Sequence, residues 1–258
     1  MELTLDDVRR GAKREEFRAG VQMRVLMPRL SVYVTRWVLN HTRLLPNQIT
    51  VLSLLVGLAA AAAYSSTAPL VVALGLVAFN VHVLLDYVDG EVARCRGLTS
   101  TRGAYLDLVT DRVTFPLLLF CAGLGVFRQL GDPTALILGF AASFGQFLDK
   151  EACDCWYRAN AGAPEVEDRY VAAPARSARR QLLGWVRILV VMSRGLAAFL
   201  TYTLAAAVLD ATVPPPPAGG SYRALVLWAF AALMPLGALV RVLYVYRRGA
   251  IPRRQQLL

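Results

Sequence analysis

Four aspartates stand out in a chain that is otherwise strongly apolar. Asp86 and Asp89 are three positions apart, Asp107 and Asp111 are four apart, and a short basic connection separates the two pairs. Residues three or four apart lie on one face of a helix, so each pair is expected to present two carboxylates in one direction. Carboxylate oxygens without clustered thiolates or imidazoles favour Mg²⁺ or Mn²⁺. The pattern predicts a divalent-cation site.

The number of carboxylates indicates a type of reaction. Four such groups near a membrane interface repel one another, so positive charge must lie among them or most of them must be protonated. Four carboxylates suit two ions better than one, and two ions about 3.5–4 Å apart are the arrangement used for phosphoryl displacement. We therefore expect phosphoryl-transfer chemistry at this place.

The residues between the two pairs are of types that bind phosphate or a nucleotide. Gly90 and Ala93 remove side-chain bulk beside the first pair, and Gly103 does so near the second. Arg94 adds a fixed charge and Ser100 adds a hydroxyl, both suited to phosphate or base contact. The alternative for Arg94 is a role as a cytoplasmic charge that orients the protein in the membrane.

Long apolar blocks must position these residues. The chain has 258 residues, of which 56% are hydrophobic. A helix needs about 20 apolar residues to cross a membrane. We predict an all-α polytopic membrane protein with six transmembrane helices, at about 47–65, 68–88, 104–127, 131–148, 185–209 and 221–246.

An interfacial amphipathic helix is predicted ahead of the first span. Residues 21–45 mix apolar and aromatic side chains with regularly spaced arginines, a composition typical of a helix in the headgroup plane. Asn47 is placed to cap the first turn of the span that follows. The predicted organisation is an N-terminal tail with this helix, a six-helix domain and a basic tail, at 1–46, 47–248 and 249–258.

The charge distribution predicts an orientation. The net charge is +10, and the basic residues crowd the two termini and the connections 94–102 and 150–187. This is the positive-inside pattern, with both termini and the acidic pairs on the cytoplasmic side. Anionic membrane lipids are the expected partner of the surplus charge, and nucleic acid is not. The charged first twenty residues do not predict a cleavable signal peptide.

The stretch 86–111 resembles the signature of a known family. Its pattern, Asp86-x2-Asp89-Gly90-x2-Ala93-Arg94-x8-Gly103-x3-Asp107-x3-Asp111, is similar at all eight fixed positions to that of the CDP-alcohol phosphotransferases, also called CDP-alcohol phosphatidyltransferases. The six spans, the interfacial helix and the start of the first span resemble the family more loosely.

The resemblance implies an activity and roles for residues. Such proteins are homodimers of six-helix subunits that move a substituted phosphate from a CDP donor to an alcohol and release CMP. By carry-over, Asp86, Asp89 and Asp107 hold two divalent cations, Mg²⁺ or Mn²⁺, while Asp111 ligates one of them and is the general base. The residues that would bind the CDP part of the donor are Asn47, Thr50, Gly90, Ala93, Arg94, Ser100 and Gly103.

Three functions stay open at the level of the sequence. The first is transfer of a phosphatidyl group from CDP-diacylglycerol to a polar alcohol acceptor, by an enzyme of the plasma membrane. The second uses a soluble CDP-headgroup donor, such as a CDP-aminoalcohol or CDP-inositol. The third and most remote is a divalent-cation carrier, although carriers place such sites near the membrane midplane on broken helices.

Other polar residues near the predicted site have competing interpretations. His82 lies one turn deeper than Asp86, where a buried histidine bonded to a neighbouring helix is favoured over a partner of the metals. Arg112 has no assigned role. Its candidate partners are lipid phosphate and the long connection 150–184. An acceptor that carries its own phosphate would need a basic pocket, for which the candidates are Arg158, Arg176, Arg179, Arg180, Arg187, Arg194 and Arg241.

Overall fold

The computed structural model describes residues 4–11, 27–159, 196–214 and 220–248. All the regular structure in these ranges is helical. In hydrocarbon a helix satisfies its own backbone hydrogen bonds, which is why long apolar blocks fold in this way. The helices are α1 (Leu5–Gly11), α2 (Met27–His41), α3 (Pro46–Tyr64), α4 (Pro69–Cys95), α5 (Thr101–Leu130), α6 (Thr134–Ala159), α7 (Leu196–Thr212) and α8 (Tyr222–Arg248).

Four predicted spans coincide with helices long and apolar enough to cross a membrane, namely Pro46–Tyr64, Pro69–Cys95, Thr101–Leu130 and Tyr222–Val240. The predicted span 131–148 lies inside α6. The predicted span 185–209 is described only from residue 196 onward, as α7. The all-α prediction is confirmed for the described residues, and their four long apolar helices support an integral membrane protein. The number of six spans stays a prediction.

Helix α3 lies at the centre of the site-bearing part of the bundle. It packs along both α4 and α5, whereas the backbones of α4 and α5 approach each other closely at few places. Helices α4 and α5 contact each other through side chains, such as those of Phe79 and Phe115, whose ring centroids are 5.8 Å apart.

Glycines let α6 pack closely on its neighbours. A Cβ atom at Gly123 of α5 would lie 2.7 Å from Gly139 Cα of α6. A Cβ atom at Gly145 would lie 2.4 Å from the backbone nitrogen of Pro235 in α8. Small residues at such crossings allow helix backbones to approach within a membrane. These contacts hold α6 between α5 and α8, so that its last turns reach the aspartates of α5.

Helix α2 covers the middle of the predicted interfacial segment 21–45 and has two distinct faces. Its buried face packs on α4, and its outer face exposes Leu30, Tyr33 and Trp37. Residues 21–26 lie outside the described ranges. That the helix lies in the headgroup plane stays a prediction.

Two details at helix ends differ from expectation. Asn47 does not cap α3, because Leu45 is the N-cap and Pro46 takes the first helical position, two residues earlier than predicted. The Leu45 N–H is instead satisfied by Gln48 Oε1 at 2.9 Å. The connection predicted at 150–184 also begins later, because α6 continues to Ala159.

Candidate active site

A tight turn brings the two acidic pairs to the same end of the bundle. Gly97 follows the end of α4 with a φ of 66°, the left-handed conformation that glycine adopts without strain. Ser100 then begins α5, and its Oγ accepts a hydrogen bond from the Gly103 N–H at 3.1 Å. The last turns of α4 and the first turns of α5 therefore lie at one level.

The four carboxylates converge as the sequence predicts. The side chains of Asp86 and Asp107 are within hydrogen-bonding distance of each other, one from α4 and one from α5. The carboxylates of Asp89 and Asp111 lie close enough to act electrostatically on Asp86. Like charges are thus concentrated in a partly buried place, an arrangement that structural packing alone does not favour.

Asp89 is held in place from α3. Its carboxylate is only 5% exposed, and the Thr50 hydroxyl donates to its Oδ2 at 2.5 Å. A hydroxyl bonded to a carboxylate fixes the orientation of that group, as outer partners of metal ligands do. Thr50, predicted to contact the donor, therefore directly contacts a predicted metal ligand.

Asp111 has two oxygens in different surroundings. Lys150 of α6 donates to Oδ2 at 2.5 Å, and the same ammonium group lies 4.1 Å from the centre of the Phe115 ring. The other oxygen, Oδ1, is buried without a hydrogen-bond partner among the described residues. A buried carboxylate oxygen without a partner is costly, so it marks the place for a cation or a donor group.

These residues fit divalent cations in chemistry, although not yet in arrangement. Within the described part of the chain, no three His, Cys, Asp or Glu side chains are grouped closely enough to hold an ion. Thr50 and Lys150 each engage one carboxylate oxygen of the aspartates. The buried Oδ1 of Asp111 and the hard-oxygen donor set nevertheless match Mg²⁺ or Mn²⁺.

Most of the predicted donor-binding residues line the same end. A Cβ atom on Gly103 would lie 3.1 Å from Asn47 Oδ1 and 3.2 Å from Ser100 Oγ, so these three residues adjoin one another. On α4, a Cβ on Gly90 would lie 3.1 Å from a guanidinium nitrogen of Arg94. Both glycines therefore leave space that a side chain would fill.

A buried polar group connects the three helices one turn below the aspartates. His82 Nδ1 lies 2.7 Å from Ser53 Oγ of α3, and Nε2 lies 3.2 Å from Thr114 Oγ1 of α5. The interpretation of His82 as a buried histidine bonded to neighbouring helices is confirmed. It fixes the relative heights of α3, α4 and α5, and therefore of the carboxylates above it.

The structure adds two residues that sequence reasoning missed. Lys150 was assigned to a loop, yet it lies in α6 and contacts the proposed base. Glu151, next to it, forms a 2.5 Å ion pair with Arg112, so Arg112 pairs with the segment that was one of its two candidate partners. The helix α6 continues past the predicted end of the span at residue 148, but the charged residues that follow suggested a loop.

The residues predicted to form a basic acceptor pocket fall mostly outside the described ranges. Arg176, Arg179, Arg180, Arg187 and Arg194 lie outside the described residues. Arg158 and Arg241 lie on described helix backbone, but their side chains are outside the description. The pocket stays a prediction.

Comparisons with known proteins give the chain a family likeness and a similar fold. The family model of CDP-alcohol phosphatidyltransferase matches residues 43–148, which contain every residue of the predicted site. The crystal structure of Mycobacterium tuberculosis phosphatidylinositol phosphate synthase (PgsA1) with CDP-DAG bound is similar in fold. The TM-score is 0.57 at 20% identity, covering 87% of this chain and 98% of that one.

Three curated relatives share the name "Bifunctional IPC transferase and DIPP synthase". The protein of Aquifex aeolicus is 46% identical over 68 residues, which are 26% of this chain and 15% of the relative. That of Archaeoglobus fulgidus is 33% identical over 152 residues, 56% of this chain and 28% of the relative. That of Thermococcus kodakarensis is 33% identical over 93 residues, 36% and 20% respectively. The chain thus spans less than a third of the length of each.

Proposed function

We propose, from the match of residues 43–148 to the CDP-alcohol phosphatidyltransferase family, that the chain moves a phosphatidyl group from CDP-diacylglycerol to the hydroxyl of a polar alcohol. CMP is the other product. The observation that carries the proposal is the convergence of Asp86, Asp89, Asp107 and Asp111 beside an oxygen of Asp111 that is buried and has no hydrogen-bond partner among the described residues.

The four aspartates would hold two divalent cations, Mg²⁺ or Mn²⁺. When bound, such ions supply charge neutralisation for the diphosphate and lower the barrier to phosphoryl displacement. The chain's own contribution is to orient the ligands, through the Thr50 bond to Asp89 and the Lys150 bond to Asp111. Thr50 lies on α3 and Lys150 lies on α6, so neither shares a helix with the aspartate that it orients.

Asp111 is the proposed general base. Its Oδ2 is engaged by Lys150, so Oδ1 is the atom that would accept the proton of the acceptor hydroxyl. The acceptor oxygen then bonds to the phosphorus that carries the diacylglycerol. The bond from that phosphorus to the bridging oxygen breaks, and the bridging oxygen leaves with CMP.

The donor's CDP part would lie against the ends of α3, α4 and α5. Gly90 and Gly103 leave room there, Arg94 supplies a positive charge for the diphosphate, and the remaining predicted contacts are Ala93, Ser100, Asn47 and Thr50. The diacylglycerol tails would enter sideways from the bilayer, because α3, α4 and α5 are membrane-crossing in length and composition.

A second candidate is favoured by the names of the curated relatives, which are IPC transferase and DIPP synthase. Neither name contains the word phosphatidyl, whereas the name of the structural neighbour, phosphatidylinositol phosphate synthase, does. In this alternative a soluble CDP-headgroup donor, of the aminoalcohol or inositol type, gives its phospho-alcohol to the acceptor.

The test is to incubate the purified protein with CDP-diacylglycerol, Mn²⁺ and a panel of alcohols, with CDP-headgroup donors in parallel. We expect CMP release and a new phospholipid whose mass names the acceptor. Turnover of the soluble donors alone would establish the second candidate. Mn²⁺ uptake into liposomes without CMP release would establish a cation carrier instead and overturn both.

Membrane sidedness and assembly complete the proposal. The basic residues at both termini and in the connections support a cytoplasmic active site in the plasma membrane. Homodimerisation is an expectation drawn from the family, whereas the domain limits at residues 46 and 248 and the interfacial position of α2 are predictions from the sequence. Labelling of an introduced cysteine at residue 132 from outside intact cells would test the orientation.

A further inference from the structure

A second buried carboxylate of α4 faces away from the metal cluster. Glu91 is 5% exposed, and each of its two oxygens accepts a hydrogen bond at 2.6 Å, one from the Ser31 hydroxyl and one from the Thr35 hydroxyl. Ser31 and Thr35 are one turn apart on α2 and are fully buried. A buried carboxylate requires such partners, so this contact fastens α2 to α4 at a defined height.

A second contact joins the same two parts of the chain one turn further along. Arg96 follows the last residue of α4, and its guanidinium donates to the Leu44 carbonyl at 2.5 Å and to the Thr42 carbonyl at 2.9 Å. Both carbonyls belong to the connection 42–45 between α2 and α3. One planar side chain therefore holds the connection at two points, a geometry that lysine does not reproduce.

One of the two contacts lies within the proposed donor-binding stretch 90–94, and the other lies just after it. Glu91 directly follows Gly90, and Arg96 comes two residues after Arg94. The connection that Arg96 holds leads straight into Pro46 and Asn47, at the start of α3. The position of α3 relative to the donor stretch is thus set by side chains that do not themselves face the aspartates.

We propose that Glu91 and Arg96 are positioning residues for the CDP donor. They hold α2 and the connection 42–45 so that Asn47 stays beside Gly103 and Thr50 stays bonded to Asp89. The inference rests on the proposed function, because the donor is assigned to this corner there. Displacement of the start of α3 weakens donor binding before it affects the acceptor or the base.

Kinetic constants separate this role from a purely structural one. Loss of a contact that only stabilises the fold lowers the unfolding temperature and leaves the constants of the folded protein unchanged. Loss of a positioning contact raises KM for the donor and weakens binding of the cytidine nucleotide, with little change in kcat. The half-buried Arg96 is the better test site, because its replacement leaves no cavity in the core.

The experiment compares Arg96→Met with Arg96→Lys, Glu91→Met with Glu91→Gln, and Arg102→Met as the matched control. Arg102 is exposed in the first turn of α5. The measurements are KM for CDP-diacylglycerol, KM for the acceptor, kcat, and the affinity for CDP alone by calorimetry. For Arg96→Met we expect donor KM and the CDP dissociation constant to rise about tenfold, the change that roughly 1.4 kcal/mol of binding free energy gives.

The remaining variants sharpen the result. Glu91→Gln keeps one accepting oxygen and must donate to the other hydroxyl, so it should lie between wild type and Glu91→Met. Arg96→Lys should lie between wild type and Arg96→Met, and Arg102→Met should change nothing. A folded Arg96→Met protein with unaltered donor KM and CDP affinity overturns the inference. Wild-type protein that binds CDP but releases no CMP from any CDP-alcohol contradicts the proposed function alone, and wild-type protein that does not bind CDP overturns both.

Discussion

The two ends of the bundle differ in how their charged side chains are paired. At the end away from the aspartates, Arg223 is 1% exposed and donates to the carbonyls of Tyr64 at 3.1 Å and Ser66 at 2.8 Å. Arg128 donates to the carbonyl of the intervening Ser65 at 3.1 Å. Two cations from different helices thus close the α3–α4 turn on oxygen atoms that need donors.

The acidic end gathers charges of one sign instead. Four carboxylates lie together, one of them with a buried oxygen that has no partner among the described residues. Lys150 is the cation that contacts them directly. Proteins retain such unfavourable groupings of charge at functional sites and compensate for the lost stability elsewhere. The contrast therefore distinguishes a polar cluster that stabilises the fold from one suited to catalysis.

The largest effect is expected from Asp111→Asn. The variant keeps an oxygen ligand and the size of the side chain but cannot accept the acceptor's proton, so kcat should fall about 10²- to 10⁴-fold. CMP release measures the loss, and calorimetry with the donor should show binding close to that of the wild type. Full activity in this variant would remove Asp111 as the base.

Removal of the buried cation at the opposite end should act on stability instead. Arg223→Leu removes the guanidinium that donates to the Tyr64 and Ser66 carbonyls, at a cost of roughly 3 kcal/mol in the free energy of unfolding. Thermal unfolding in detergent measures the change. The fraction that stays folded should keep its kcat, and a selective loss of kcat would make this end part of the site.

A smaller effect on ion binding is expected from Thr50→Val. Thr50 and Thr203 both bond a carbonyl one turn back, at 3.2 and 2.8 Å, and both are 3% exposed, but only Thr50 also donates to an aspartate. Loss of such an outer partner lowers metal affinity about 10-fold or more. Mn²⁺ titration should show this loss of affinity in Thr50→Val and not in Thr203→Val. Equal Mn²⁺ affinities of the two variants would mean that Thr50 does not orient a metal ligand.

The smallest effect is expected at Asp132, in the exposed turn before α6. Its carboxylate accepts a hydrogen bond from the Thr134 N–H at 2.9 Å, which holds the pKa of Asp132 below its usual value. Because the folded-state pKa is the lower one, the stabilisation is present above the unfolded pKa and is lost as pH falls through the folded pKa. The difference in unfolding temperature between wild type and Asp132→Asn should therefore shrink at acid pH, and a constant difference would contradict the assignment.

The contrast also shows what sequence alone could predict. The convergence of Asp86 and Asp89 with Asp107 and Asp111 follows from spacing and a short turn, which are local. The roles of Lys150 and Arg223 depend on which distant helix packs where, and single residues in apolar helices give no local signal of that. The position of α3 between α4 and α5 was missed for the same reason.

The central claim is that aspartates from α4 and α5 bind divalent cations that the transfer reaction needs. Mn²⁺ binding to chelator-treated protein, titrated for the wild type and for Asp107→Asn with CMP release followed in the same samples, tests it most directly. The account predicts saturable binding near two ions, strongly weakened in Asp107→Asn together with CMP release. Equal Mn²⁺ binding by both proteins, or CMP release that persists without any divalent cation, would contradict it.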